Sequence, residues 1–98
     1  MPEMYFHVRW PDGQEENCYS PSLVIGDYLA PGHSYPVPEF VSRCEQALTE
    51  ASERVRQKYG YTCSSAMDQL GRIRERARDC ESTPDGSVAV EAFKPGAR

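Results

Sequence analysis

This chain of 98 residues has no Cys-x-x-Cys pair, no glycine-rich phosphate loop and no surplus of basic residues. It also has no apolar run near the roughly 18 residues that a membrane-spanning helix needs. Each absence excludes something. Cys18, Cys44, Cys63 and Cys80 stand singly, so they read as free thiols in a reducing compartment and give no metal-ligand spacing. The N-terminus carries no basic region followed by an apolar stretch, and a cytoplasmic location is expected. Formal net charge is −4, and up to Tyr35 five acids (Glu3, Asp12, Glu15, Glu16, Asp27) oppose Arg9 alone. From Pro36 onward ten acids and ten bases cancel, so no basic region exists to neutralise a phosphate backbone or to bind an acidic membrane surface.

What is present is enough for one small core. An apolar fraction of 39%, with six Tyr, three Phe and one Trp, supports a packed interior in a chain too short for two domains. Residues 1–95 are expected to form a single α+β domain, with 96–98 as a frayed tail. Met4 to Trp10 alternates, with Met4, Phe6, Val8 and Trp10 on one face and Tyr5, His7 and Arg9 on the other, the period of a half-buried strand. Pro11-Asp-Gly13 is a turn, so Gln14 to Tyr19 returns antiparallel as a second strand. Ser20 to Pro38, with four prolines and two glycines, reads as an ordered loop with one helical turn near Ile25 to Leu29.

From Glu39 to Tyr59 the residues Phe40, Cys44, Leu48, Ala51, Val55 and Tyr59 form an amphipathic stripe, with Pro38 in the first turn and Gly60 at the left-handed cap position. A second helix runs from Ser64 or Ser65 to about Cys80, close enough in sequence to form an antiparallel hairpin with the first. After the break at Ser82 to Gly86, Ser87 to Phe93 reads as a third strand. The order β-β-α-α-β predicts a two-layer α+β fold, an antiparallel or mixed three-stranded sheet covered on one face by the helix pair. The other face, bearing Tyr5, His7, Arg9 and Tyr19, meets solvent or a partner.

No catalytic set assembles from these motifs. Cys63 just before a helix N-terminus and Cys18 at a strand end are the thiols placed to be reactive, whereas Cys44 and Cys80 lie on apolar helix stripes as core residues. Zinc would require His7, His33, Cys18 and Cys63 to converge, which their scattered spacing does not support, so no metal and no cofactor are expected. Arg72, Arg74, Arg76 and Arg78 spread around a helix and read as a solvated, salt-bridged face. Ser20 and Ser22 flank Pro21, where hydroxyls ordinarily satisfy loop backbone groups. The functional alternative is a pocket for a ligand or a partner side chain, formed by His7, Cys18, Tyr19, Ser20, Ser22 and Cys63.

Several segments carry a resemblance: Arg9-Trp-Pro-Asp-Gly13, Cys18-Tyr-Ser-Pro-Ser22, Tyr28-Leu29 before Pro31-Gly32, Ala47-Leu48, Ala51-Ser52, Arg54-Val55, and Tyr59-Gly60 followed by Cys63. Together they make the chain similar to the small nitrogen-starvation-response proteins encoded beside nitrilases and radical-SAM enzymes, up to about Leu70 and more thinly beyond. The resemblance implies a setting of nitrile or cyanide assimilation among nitrilase, radical-SAM, acetyltransferase-like and flavin-dependent enzymes. It supplies no catalytic residue. The expectation is an accessory, partner-binding protein without catalysis of its own, a homodimer whose further partners are nitrilase or radical-SAM enzymes. The alternative is a small enzyme or ligand carrier with a pocket centred on Cys18 and Cys63.

Overall fold

The computed structural model describes residues 3–60, 64–80 and 86–95. Its first hairpin follows the alternation of the sequence. β1 (Met4–Arg9) and β2 (Glu15–Ser20) pair antiparallel, with Tyr5 opposite Tyr19, His7 opposite Asn17 and Arg9 opposite Glu15. The Trp10 N–H donates to the Gln14 carbonyl at 2.8 Å, and Asp12 Oδ1 accepts from the Gln14 N–H at 3.0 Å. Gly13 closes the turn at φ +90°, a conformation that a side chain would strain. Phe6, Val8 and Trp10 are buried on one face, with Met4 packed partly against them.

The proline-rich connection is ordered, as expected, and its helical turn lies at Leu23–Asp27, slightly ahead of the expected place. Ser22 caps that turn, its Oγ accepting from the Val24 N–H at 3.2 Å. The same connection holds a strand where the sequence reading expects only loop: β3, His33–Pro36. Four residues containing a proline and no apolar alternation give no strand signal, and this strand exists because a longer one needs an edge partner.

α1 (Val37–Tyr59) begins two residues before the expected start and ends at Gly60, whose φ of +83° and N–H to the Arg56 carbonyl at 2.8 Å make the anticipated left-handed cap. Acid-before-base pairs one turn apart form along its surface, Glu39 with Arg43 at 2.8 Å and Glu50 with Arg54 at 3.9 Å. α2 (Ser64–Asp79) packs against α1 and β2. Residues 61–63, most of the break at 82–85 and the 96–98 tail lie outside the described residues.

β4 (Ser87–Pro95) runs two residues past the expected end and is inserted between β1 and β3, which fixes the architecture. The sheet has four antiparallel strands in the order β2-β1-β4-β3, not three. β4 is central, and hydrogen bonding along both of its edges requires β3 on the far side: Tyr35 faces Val88, and Ser34 faces Ala89. Phe6, Val8, Trp10, Cys18, Val88 and Val90 of the sheet share one core with Phe40, Cys44, Leu48, Ala66, Leu70 and Ile73 of the helices. Trp10 meets Phe40 edge to face, with ring centroids 5.4 Å apart.

Candidate functional site

The helices cover one face of the sheet, so the period of two sends alternate residues of β1 and β2 to the uncovered face. These are Tyr5, His7 and Arg9 facing Tyr19, Asn17 and Glu15. On the other side of β1 the pairing with β4 is interrupted. His7 opposes Ala92 and Val8 opposes Val90, leaving Glu91 as the extra residue of a β-bulge. The bulge holds Glu91 beside His7 and Arg9 on the uncovered face, and alternation beyond it returns Phe93 to the core side, opposite Phe6.

Four charged side chains consequently meet above the centre of the sheet. His7 Nε2 lies 2.7 Å from Glu15 Oε1 and 3.5 Å from Glu91 Oε1, while His7 Nδ1 donates to Asn17 Oδ1 at 2.7 Å. Arg9 takes the outer oxygens: its Nε lies 3.1 Å from Glu91 Oε2 and its Nη2 3.4 Å from Glu15 Oε2. The imidazole is only 24% exposed, whereas the carboxylates and the guanidinium are more open. Its pKa is raised above the ordinary value, first by the hydrogen bond to Glu15 and then by that to Asn17. Glu15 is held below the usual carboxylate range, chiefly by His7 and then by Arg9. Next to this cluster Tyr5 and Tyr19 stack edge to face at 5.7 Å.

The residues expected to form a pocket divide between the two sides of the sheet. His7 and Tyr19 are on the uncovered face. Cys18 is fully buried in the core, and burial, followed by the Glu16 carboxylate, pushes its thiol well up, away from the thiolate form. Ser20 and Ser22 are buried and do what hydroxyls at a turn ordinarily do, Ser20 Oγ donating to the Ser22 carbonyl at 2.8 Å and Ser22 capping the next turn. Cys63 lies outside the described residues. Cys44 and Cys80 are buried as expected, and burial raises both thiols.

Three features had no counterpart in the sequence reading. Glu15 and Asn17 could have been placed on the His7 face from the hairpin register alone. Glu91 could not, because it arrives from the far end of the chain through a bulge that no local pattern announces. Gln69, a fully buried amide on α2, accepts the outward Tyr19 N–H of the β2 edge at 3.0 Å, and neighbouring residues give no hint of that role. The arginines of α2 form salt bridges, but with other elements: Arg74 with Glu45 of α1 at 3.0 Å and Arg76 with Glu16 of β2 at 3.5 Å.

These features define a small α+β protein with a four-stranded antiparallel sheet, one face packed under two helices and the other carrying a compact charged and aromatic cluster. Residues 5–93 match the family of the nitrogen starvation-induced protein NitG, and the chain belongs to that family. The match extends well beyond Leu70, into β4 as far as Phe93, so the bulge at Glu91 is inside the family region. No curated protein and no solved structure matches the chain. Among the described residues no helix is long and apolar enough to cross a membrane.

Proposed function

We propose that this member of the nitrogen starvation-induced family is an accessory, partner-binding protein that self-associates through its uncovered sheet face. Nitrilase or radical-SAM enzymes of a nitrile- or cyanide-assimilating pathway are the further partners. The observation that carries the reading is that face itself: a four-stranded platform with an aromatic pair, Tyr5 and Tyr19, beside Arg9, Glu15 and Glu91. Charges of both signs on one surface suit a two-fold association, in which the patch must complement itself. The sheet edges are poorer candidates, since Gln69 and α2 occupy the β2 edge and the β3 edge is four residues long and ends in proline. A carrier or enzyme centred on Cys18 and Cys63 has less support, because Cys18 faces the core.

Light scattering on the purified chain tests the first part. A dimer is expected, and Tyr5→Glu, which puts a like charge beside Glu15 and Glu91, should convert it to monomer with the fold retained. Affinity purification from nitrogen-starved cells tests the second. A monomeric parent protein that recovers neither enzyme class would end the reading.

A further inference from the structure

We propose that His7 Nε2, Glu15 Oε1 and Glu91 Oε1 form a binding site for a divalent transition-metal ion on the uncovered sheet face. The inference stands apart from the partner-binding reading and requires no second chain.

The cluster is more than a group of acids. Its three donor atoms come from three adjacent strands and lie within 4.8 Å of one another. A tetrahedral ion bound at about 2 Å holds its ligand atoms about 3.3 Å apart. The two measured edges of the donor triangle, 2.7 and 3.5 Å, fall on either side of that spacing, and the Glu15 and Glu91 carboxylates sit on flexible side chains that can adjust to it. One imidazole with two carboxylates suits zinc, manganese, iron(II) or cobalt.

The surroundings arrange the donors as a metal site requires. Asn17 accepts the Nδ1 proton of His7, which leaves the Nε2 lone pair as the ligating one and fixes the plane of the ring. Arg9 engages Oε2 of both glutamates, while Oε1 of each lies toward the imidazole. Three protein donors leave at least one position for water or an exogenous oxygen ligand. Without an ion, Nε2 carries the proton it shares with Glu15 Oε1 at 2.7 Å, and a bound cation takes the place of that proton between the imidazole and the carboxylates.

The test uses the purified full chain after chelator treatment, titrated with Zn2+ by calorimetry and with Co2+ by visible absorption. The expected result is one ion per chain, a spectrum without the intense thiolate charge-transfer band, and a raised unfolding temperature. Glu91→Gln should weaken Zn2+ binding at least tenfold, and Asn17→Ala, which removes only the orienting acceptor, about 10- to 100-fold. Circular dichroism on the metal-free variants verifies that each is folded, and Glu15→Gln replaces any that is not. A thiolate band, or affinity in the folded variants within about twofold of the parent where an orienting partner alone should cost tenfold, would overturn the site.

Discussion

His7 and Cys18 are eleven positions apart in a single hairpin, yet the pleat sends them to environments with opposite chemistry. His7 faces two carboxylates and an amide in a half-open setting that favours its charged form, whereas Cys18 is sealed under the helices, where burial suppresses the thiolate. Reactivity follows from this. Because a thiolate is the nucleophile, Cys18 and Cys44 should resist alkylation in the native protein at neutral pH and react only on unfolding. Mass spectrometry of iodoacetamide-treated protein, with and without denaturant, checks it. Rapid native labelling of Cys18 would mean that the hairpin opens readily or that the core is looser than its burial indicates. The serines of the Cys18-Tyr-Ser-Pro-Ser22 segment were legible as turn residues, because a hydroxyl beside a proline has few other local roles.

Among the elements, the two helices and the first hairpin were readable in advance, since their periods of 3.6 and 2 are local and strong. β3 was not, because its four residues contribute an edge rather than an apolar stripe. The edge of β2 depends on a contact from another element, the Gln69 amide that accepts the Tyr19 N–H. Replacing Gln69 by Ala leaves that donor without its acceptor and opens a gap under α2. A loss of about 1–3 kcal/mol in urea unfolding is expected. Gln69→Met, which keeps the volume but not the acceptor oxygen, should lose nearly as much, and a near-complete recovery in that variant would assign the effect to packing instead. Arg43 makes a comparable link between elements: it pairs with Glu39, donates to the Tyr28 carbonyl at 2.8 Å and lies 4.8 Å from the centre of the Tyr35 ring, fastening the proline-rich connection to α1.

In the whole molecule all elements share one core, so unfolding should be a single cooperative transition. Trp10 joins sheet and helix through Phe40 and is 2% exposed. Trp10→Ala should cost about 3–5 kcal/mol, a large part of the roughly 5–15 kcal/mol typical of a domain of this kind. Chemical denaturation followed by circular dichroism measures it, and a cost below about 1 kcal/mol would show that the Trp10–Phe40 contact is not central to the core. The local sequence sufficed for the α+β class, the hairpin, the helix stripes with their glycine cap, and the identity of the covered face of β1, because each depends on residues within a few positions of one another. The insertion of β4 between β1 and β3, the fourth strand, the Gln69 brace and the meeting of Glu91 with His7 and Glu15 were settled by folding in three dimensions. Each joins residues tens of positions apart, and strand order, bulge position and edge pairing are set by backbone hydrogen bonding and core packing across that separation, which no local period encodes.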